Sequence, residues 1–544
     1  MDRKLFLFFT ASFMLLGPML FASGQQGTEE SEKQVAPGPF GKYDTPITVT
    51  AVKSVDDTHK YYQGEDLENN AWSRAYVDEL GINLKYDWTV NGTQWDQKMN
   101  LAIASGSLPD IFPVGAKQLA MLVEAELIQP LGAIYDEYAS DDLKEIQLQQ
   151  GTIPFDAATF NGQLMGIPET NSFIDAANFL WIREDWRNAL NLSKPETMDE
   201  LIKIIYAFAN DDPDGNGKDD TYGFAVSNNI YNYGYSSIEG FCNAFHAYPT
   251  IWVKDSSGKL VYGSIQPEMK EALIVLQKMF KDGVIDPEFG VKDRGKLVED
   301  TVAGKYGVGI GAQWNPFWPY IQARENFPNL QVAAYEIPSA DNKPSLAQIP
   351  SSIGKFLVVR KDFLYPEAAV KLTNIFVQHQ FIDNPLREEF LEDSEKGIAP
   401  HKWPIFTTWP AFRVLDRHKG WMAVQNGESS EGFNSEQLDT IDRMNSYLDG
   451  TDDAQWGEWS TYKSDGPVAI NLKRVERDGF MSNKFFGAPT ETMVTKGSTL
   501  EKMEEEMFIR FIMGDTEAFD KFVADWKVLG GDSITEEVNL WANS

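Results

Sequence analysis

The sequence predicts an α/β fold, in which strands and helices alternate along the chain. A β-branched segment at residues 47–52 has the composition of a strand, a helix is predicted over residues 71–80, and a second strand over residues 82–88. This strand–helix–strand spacing is typical of parallel strands joined by a right-handed crossover. The 544 residues are enough for several domains or for two large lobes.

Glycines mark the ends of the first helices. Gly81 follows the helix over residues 71–80, and Gly106 follows a predicted helix over residues 95–105. Glycine is favoured just after a helix because it adopts a left-handed conformation without steric cost. A third buried strand is predicted at residues 109–114, so the α/β pattern continues.

A second α/β region follows. The strand predicted at residues 179–182 precedes a capping box, in which Thr197 and Glu200 open a helix over residues 199–208. The glycine-rich strand at residues 307–311 lacks the G-x-G-x-x-G spacing of a dinucleotide site. Apolar residues at helical spacing predict two last helices, over residues 503–513 and 517–529.

The charge of the chain excludes several classes of partner. It has 48 Lys and Arg against 81 Asp and Glu, a formal net charge of −33. Such a surface repels phosphate backbones and anionic lipids, so neither nucleic acid nor a membrane surface is expected to bind. With one cysteine, Cys242, the chain forms no internal disulfide and no cysteine-based zinc site.

The first residues have the layout of an export signal. A short charged start precedes an apolar run and then small residues, which predicts a signal peptide over residues 1–24. An uncleaved membrane anchor is the alternative, since the apolar run approaches the length of a span. Residues 25–45 are predicted to be a linker. No cysteine follows the cleavage region, so the protein is expected to be periplasmic or secreted and not lipid-anchored.

Oxygen-bearing residues alternate in the segment 212–221, which predicts a cation-binding loop. Alternate residues of a tightly coiled loop point inward, and oxygen-only ligands suit Ca²⁺. The predicted ligands are Asp212, Asp214, Asn216, the carbonyl of Lys218, Asp220 and Thr221. No nucleophile or base is nearby, so a structural ion is expected; a plain polar turn is the alternative. Gly223 stands where an EF-hand has its bidentate Glu.

Several short segments, taken in order, resemble one family. They are ASGSLPD at 104–110, NGQLMGIP at 161–168, LWIREDW at 180–186, KDGVIDPEF at 281–289, GAPTETM at 487–493 and FIMG at 511–514. With the cation loop, they are distributed along the mature chain, and the resemblance covers most of it. The chain resembles the carbohydrate-type extracellular solute-binding proteins of ABC importers, and is similar to alginate-binding proteins and LplA-like lipoproteins.

The resemblance implies a two-lobed periplasmic-binding-protein fold of type II, like that of maltose-binding protein. Hinge strands would join the lobes, and a ligand cleft would lie between them. The expected N-terminal lobe is residues 46–166 and 340–400, and the expected C-terminal lobe is residues 167–339 and 401–544. The resemblance also implies Ca²⁺ in the loop, although alginate binders have Glu where this chain has Thr221.

Tryptophans in Pro- and Gly-containing segments are the expected sugar-binding residues, because an indole face stacks on the apolar face of a sugar. Core packing is the alternative for each of them. Glu169 and Asn171 follow a predicted hinge strand and are added as polar candidates, with hinge hydrogen bonding as their alternative role. The candidates in predicted loops are Trp314, Trp318, Trp409, Trp456 and Trp459, and Trp72, which opens a predicted helix after the loop that follows the first strand, is added to them.

The sequence thus predicts a binding protein and not an enzyme. We expect a monomer that captures an oligosaccharide between its lobes and delivers it to the permease subunits of an ABC importer. Arg413, Arg474 and Lys484 could pair with uronates, but isolated cations on an acidic chain usually form surface ion pairs, so no acidic sugar is inferred from them. A secreted hydrolase or lyase with a carboxylate pair, or a sensor coupled to a receptor, are the alternatives.

Overall fold

The strands and helices of the protein come from a computed structural model that describes residue 34 and residues 36–55, 59–231, 234–350, 354–382, 387–391 and 396–543. The predicted signal peptide and most of residues 25–35 lie outside the described residues. Within those residues, no helix combines the length and the apolar character needed to cross a bilayer.

The strands are short and distributed along most of the chain. They are β1 Ile47–Ser54, β2 Ile82–Val90, β3 Ile111–Val114, β4 Thr159–Phe160, β5 Gln163–Leu164, β6 Ile167–Pro168, β7 Phe179–Arg183, β8 Tyr222–Phe224, β9 Trp252–Lys254, β10 Leu260–Tyr262, β11 Tyr306–Gly311, β12 Val332–Tyr335, β13 Ala347–Gln348, β14 Phe356–Val359 and β15 Phe480–Met481.

Helices surround these strands and make up most of the last third of the chain. They are α1 Ala71–Ala75, α2 Trp95–Ser105, α3 Ala116–Glu124, α4 Gly132–Tyr138, α5 Asp141–Leu148, α6 Ile153–Ala157, α7 Glu184–Ala189, α8 Met198–Asn210, α9 Glu239–Asn243, α10 Pro267–Lys281, α11 Arg294–Val302, α12 Ile321–Asn326, α13 Glu367–Phe381, α14 Arg413–Gln425, α15 Ser435–Leu448, α16 Trp456–Tyr462, α17 Pro467–Glu476, α18 Glu491–Ile512, α19 Ala518–Trp526 and α20 Asp532–Ala542.

The local signals in the sequence act as predicted. Gly81 and Gly106 both adopt left-handed conformations, with φ of 69°, at the ends of the helices they follow. Thr197 accepts a hydrogen bond from the N–H of Glu200, and the Glu200 side chain reaches back, so the capping box opens α8. The predicted helix over 71–80 is wound differently, because α1 continues into a π-helical turn, Tyr76–Leu80.

Two groups of strands are separate in space. In the first, β1 pairs in parallel with β2, as the crossover predicts, and β14 pairs antiparallel with β3 and β6. The second is a four-stranded sheet in the order β12-β7-β11-β8, in which β7 runs antiparallel to both neighbours and β11 runs parallel to β8. The chain therefore builds two α/β layers instead of one continuous sheet.

Each group of strands has its own hydrophobic cores. The first lobe, as we use the term, contains the cores formed within residues 36–167 and 356–409. The second lobe contains the cores formed within residues 174–337 and 412–541. The strands of both lobes are covered by helices, because each strand buries apolar side chains that another layer must shield.

Two segments pack differently from the predicted lobe boundaries. Trp403 and Phe406 are buried in the first lobe, although residues 401–409 were expected in the C-terminal lobe. Conversely, β13 pairs with β15, and the Gln348 N–H donates to the Asn243 side chain at 2.9 Å, so this part of residues 340–400 packs with the second lobe. In both cases long-range packing decides the placement.

Candidate functional site

Three segments cross from one lobe to the other. They lie between Ile167 and Ile174, between Ile337 and Phe356, and between residues 409 and 412. Backbone hydrogen bonds join them: the Glu169 N–H donates to the Lys355 carbonyl at 2.8 Å, and the Trp409 N–H donates to the Thr170 carbonyl at 2.9 Å. The crossing segments therefore lie side by side, as the predicted hinge requires.

Buried hydroxyl groups hold the first and third crossing segments together. The hydroxyls of Thr170 and Thr408 are 2.8 Å apart, and both residues are almost completely buried. The Ser172 hydroxyl donates to the Ala411 carbonyl at 2.8 Å. Buried polar groups that satisfy each other in this way fix the register of the two segments.

A cavity of about 240 Å³ opens beside the crossing segments, on the side of the first lobe. We call it the hinge cavity. Its lining residues are Lys53, His59, Pro113, Glu169, Lys355, His401, Lys402, Pro404, Ile405, Phe406, Thr407 and Trp409. The volume is below the roughly 300–1,000 Å³ of whole ligand pockets, so it suits one part of an oligosaccharide and not its full length.

Glu169 lies at the boundary between the cavity and the crossing segments. One carboxylate oxygen accepts the N–H of Lys355 at 3.0 Å, and the other accepts the Thr407 hydroxyl at 3.3 Å. Burial raises the pKa of Glu169, while these hydrogen bonds and the charge of Lys355 oppose the rise. The predicted polar candidate is thus both a hinge hydrogen-bonding group and a cavity-lining group.

Lys53 brings a buried ammonium group to the same cavity. It is the next-to-last residue of β1, its side chain is 7% exposed, and its Nζ donates to the Pro404 carbonyl at 2.5 Å. Burial, followed by repulsion from Lys355, lowers the pKa of Lys53 to about 7. A ligand carboxylate that enters the cavity would therefore reduce the repulsion between Lys53 and Lys355.

His401 is an uncharged residue in the wall of the cavity. Burial, with repulsion from Lys402 and Arg413, lowers its pKa to about 4. At neutral pH the imidazole is therefore uncharged, and its nitrogens can donate and accept hydrogen bonds with sugar hydroxyls.

Trp409 is the tryptophan candidate that lines the hinge cavity. Its ring contacts Phe376 and Phe381 edge-on and lies 5.7 Å from the His401 ring. The Arg413 guanidinium lies over the ring at 4.6 Å from its centre. The guanidinium group thus covers one face of the indole, which is half-buried where it lines the cavity.

Trp314 and Trp318 follow β11 in the second lobe and do not line the hinge cavity. Trp314 is half-buried, and the N–H of the preceding Gln313 donates to the Asp175 carbonyl at 3.3 Å, so the loop is tied to the end of the first crossing segment. Trp318 packs against the second-lobe core, and the Arg294 guanidinium lies 4.6 Å from its ring centre. Trp314 is therefore placed at the hinge side of the second lobe, whereas Trp318 is largely a packing residue.

The structure corrects the prediction that Trp72 binds the sugar. Its side chain is 1% exposed, its ring stacks on Phe376 and meets Phe390 edge-on, and its indole N–H donates to the Pro400 carbonyl at 2.9 Å. A residue that is enclosed on all sides cannot present a face to a sugar.

Asn171 is exposed, and its side-chain oxygen accepts the Ser172 N–H at 2.8 Å, which is the hinge hydrogen bond considered as its alternative role.

Trp456 and Trp459 lie elsewhere in the second lobe. The prediction placed them in a loop, but they belong to α16, and Trp456 is buried in the core with only 3% exposed. Both line a different cavity, which shares no lining residue with the hinge cavity. The predicted tryptophans therefore do not converge on one site.

The sequence reasoning missed the lysines of the hinge cavity. Lys355 precedes β14, which is not among the predicted strands. Lys53 directly follows the strand predicted over residues 47–52, and the carboxyl ends of strands are where α/β proteins bind ligands. That position was a usable signal, but the two lysines are 302 residues apart in the chain, and nothing local shows that they meet Glu169.

The cation loop has the predicted turn geometry. Gly217 has a φ of 73°, and its N–H donates to Asp212 at 3.0 Å. The Asn216 side-chain amide donates to Asp214 at 2.8 Å and to Asp220 at 3.1 Å. The side chains of the loop therefore point toward one another around Asn216.

The donor set suits a hard cation, because it consists of carboxylate, amide and carbonyl oxygens. Partial burial, with the nearby carboxylates of Asp212 and Asp220, raises the pKa of Asp214, a repulsion that a divalent ion would relieve. The Thr221 hydroxyl instead donates to the Phe208 carbonyl at 2.8 Å, away from the loop. Over the described residues, no group of three or more His, Cys, Asp or Glu is arranged to hold a metal, so Ca²⁺ stays a prediction.

The comparison with known proteins agrees with the two-lobed fold. The Bacillus subtilis (strain 168) protein named polygalacturonan/rhamnogalacturonan-binding protein YtcQ is 24% identical over 533 residues, 96% of each chain. An HMO-binding, ABC-transporter-associated solute-binding protein from Bifidobacterium longum infantis has a TM-score of 0.65 at 15% identity, over 92% of this chain and 98% of its own. The alginate-binding protein AlgQ2 has a TM-score of 0.60 at 14% identity, over 91% and 98%.

A family model also matches the chain directly. The model described as bacterial extracellular solute-binding protein covers residues 64–374, more than half of the chain. The matched region contains β2 to β14, which include strands of both lobes, and it spans the first two crossing segments. The chain therefore belongs to the bacterial extracellular solute-binding protein family.

Proposed function

We propose that the protein is the extracytoplasmic solute-binding subunit of an ABC importer and that it captures an oligosaccharide between its two lobes. The observation that carries the proposal is the hinge cavity, where Glu169, Lys355 and Trp409 meet at the crossing segments. A ligand there touches the groups that move when the lobes close. Contacts made only in the closed state would favour closure.

The charges of the cavity favour an acidic sugar. On a chain of net charge −33, the cavity wall collects Lys53, Lys355 and Lys402 around Glu169. Uronate carboxylates would pair with the lysines, and the sugar hydroxyls would bond to Glu169 and to the neutral His401. The relative named for binding polygalacturonan and rhamnogalacturonan, and the alginate-binding protein of similar fold, support this choice.

The three cations considered from the sequence, Arg413, Arg474 and Lys484, do not line this cavity. Arg413 pairs with Glu436 at 2.9 Å, and the buried Arg474 donates to the Asn178 carbonyl at 3.1 Å. Both guanidinium groups are therefore committed to structural contacts.

The test is isothermal titration with an oligogalacturonate and with a neutral oligosaccharide of equal length. We expect the acidic ligand to bind more tightly, and Trp409→Ala to weaken its binding by about 2 kcal/mol, roughly thirtyfold. Trp541→Ala is the matched control, because Trp541 packs edge-on against Phe485 and lines no part of the hinge cavity. Equal losses in the two variants, or tighter binding of the neutral ligand, would contradict the proposal.

No covalent chemistry is part of the proposed cycle. The loaded, closed protein delivers its ligand to the permease, so incubation with oligosaccharides should yield no cleavage products. The appearance of such products would instead favour the hydrolase or lyase alternative.

We also propose that the cation loop binds a structural Ca²⁺ through Asp212, Asp214, Asn216 and Asp220. The repulsion among its carboxylates and the oxygen-only donors support this. A chelator should lower the melting temperature of the protein, and added Ca²⁺ should restore it by mass action. Asp214→Asn should make the melting temperature insensitive to the chelator.

A further inference from the structure

A groove that the proposed function does not use runs along the outer edge of the second-lobe sheet. The groove has a volume of about 710 Å³ and runs beside β12, the last strand in the order β12-β7-β11-β8. We call it the edge groove. Its walls include Lys194 from the loop before α8, Tyr447 from α15, Trp459 from α16 and Lys473 from α17. Four separate segments of the chain thus enclose it.

The floor of the edge groove offers backbone hydrogen-bonding groups. The Glu184 N–H donates to the Gln331 carbonyl at 2.8 Å, which places this residue pair among the hydrogen-bonded pairs of the β7–β12 ladder. Such pairs alternate along an antiparallel ladder. The backbone groups of Val332 and Ala334 therefore point away from β7 into the groove, and no hydrogen bond to them is found in the described part of the chain.

One wall of the groove is aromatic. The rings of Tyr447 and Trp459 are 5.1 Å apart, both are half-buried, and the fully packed Trp456 lies beneath them. The Lys463 ammonium is 4.9 Å from the centre of the Trp459 ring. Partly exposed aromatic side chains beside ammonium groups are suited to a ligand with both apolar faces and negative charge.

The charges around the groove do not cancel. The three lining carboxylates already have cationic partners: Glu184 pairs with Arg187 at 2.8 Å, Glu336 with Arg477 at 2.5 Å and Asp465 with Lys463 at 3.2 Å. The lining Arg324 pairs with Asp453 at 3.0 Å. For Lys194 and Lys473, no carboxylate of the described residues lies within 4.0 Å.

We propose that the edge groove is a second binding site, separate from the hinge cavity, for an acidic carbohydrate chain. This proposal rests on the proposed function, since it assigns the same class of ligand to a second place on the molecule. Lys194 and Lys473, which form no ion pair within the described residues, pair with uronate carboxylates. Tyr447 and Trp459 contact the apolar faces of the rings, and the outward backbone groups of β12 bond to hydroxyls. A polymer longer than the hinge cavity is thereby held at two points.

The test is isothermal titration of the full chain with hexagalacturonate at two salt concentrations. We expect two classes of site, of which the weaker depends more strongly on salt because its lysines are exposed. The double variant Lys194→Glu/Lys473→Glu should weaken the second class by about tenfold and leave the first class unchanged. Lys502→Glu/Lys521→Glu is the charge-matched control, because both lysines are exposed and line neither cavity, and it should keep both classes.

Variants of the two sites separate this proposal from the proposed function. Trp409→Ala should weaken the first class only, and Trp459→Ala the second only. A single class that Trp409→Ala weakens would overturn the edge groove while the proposed function stands. No binding to either site would overturn both, and an acidic peptide that binds the groove in place of hexagalacturonate would overturn the carbohydrate assignment. Because Lys194 and Lys473 are exposed, their variants test the groove even if Trp459→Ala fails to fold.

Discussion

Binding of an acidic sugar at the hinge cavity should add a proton to Lys53. In the free protein, burial and repulsion from Lys355 lower the pKa of Lys53 to about 7. A uronate carboxylate within hydrogen-bond reach favours the charged form and moves this pKa back toward the usual value of about 10.4. Binding and protonation are then linked, and each promotes the other.

The size of this uptake follows from the fraction of Lys53 that is neutral before binding. With a pKa near 7, that fraction is about 0.5 at pH 7 and about 0.9 at pH 8, so these are the upper limits of proton uptake. Isothermal titration in two buffers with different ionisation enthalpies measures it directly. The uptake should be larger at pH 8 than at pH 7.

Two controls make the result specific. A neutral oligosaccharide should bind without this uptake, and Lys53→Met should abolish the uptake for an acidic one. Lys371→Met is the matched variant, because Lys371 is also buried with a pKa lowered to about 8 but donates to the carbonyls of Gly38 and Gly41, far from the cavity lining. Uptake that persists in Lys53→Met, or that is absent from the native protein at pH 8, would refute the reasoning.

Three further predictions concern stability and can be measured by chemical denaturation. Burial raises the pKa of Glu504 to about 7 despite hydrogen bonds from Tyr231, Ser264 and Tyr262, so the folded state holds a proton that the unfolded state loses near pH 4.5. The free energy of unfolding should fall by about 3 kcal/mol as the pH rises from 4.5 to 7, and Glu504→Gln should remove this dependence. A Glu504→Gln variant with the same pH profile as the native protein would contradict the prediction. Trp72→Ala should lower the free energy of unfolding by about 3–5 kcal/mol, because Trp72 is a core residue. The affinity of this variant for ligand, measured on its folded fraction, should be unchanged. Gly217→Ala should lower the free energy of unfolding by about 1 kcal/mol, because the backbone φ at Gly217 is 73°. Gly497→Ala is the control: it lies inside α18 with no atom near the added methyl group, so it should stabilise the protein. Equal effects of the two substitutions would mean that the loop turn is not strained.

Local patterns carried much of the fold. The left-handed glycines after α2 and after the α1 region, and the capping box at Thr197, act between residues a few positions apart, so the sequence shows them directly. The parallel pairing of β1 with β2 follows from the crossover spacing. The shape of the loop at Gly217 is likewise local, since one positive φ and the neighbouring Asp212 define it.

The candidate site was less accessible from the sequence. Trp72 and Trp409 are both sugar-binding candidates in the sequence, yet Trp72 is enclosed by residues from α13 and beyond, while Trp409 reaches the hinge cavity. Burial is the sum of contacts from distant parts of the chain, so no short window of sequence contains it. The helix at Trp456 was missed because its glycine and acidic neighbours resemble a loop, and packing against the second lobe overrides that preference.

By itself, then, the sequence determined the alternation of strands and helices, the turn at the cation loop, the acidic surface and the absence of disulfides, because propensity, charge and cysteine count are properties of the residues themselves. Only the tertiary structure decided that Lys53, Glu169 and Lys355 share one cavity, that residues 401–409 pack with the first lobe, and that Trp459 faces a separate groove. The physical reason is that these placements depend on how layers pack against one another, and packing joins residues hundreds of positions apart in the chain.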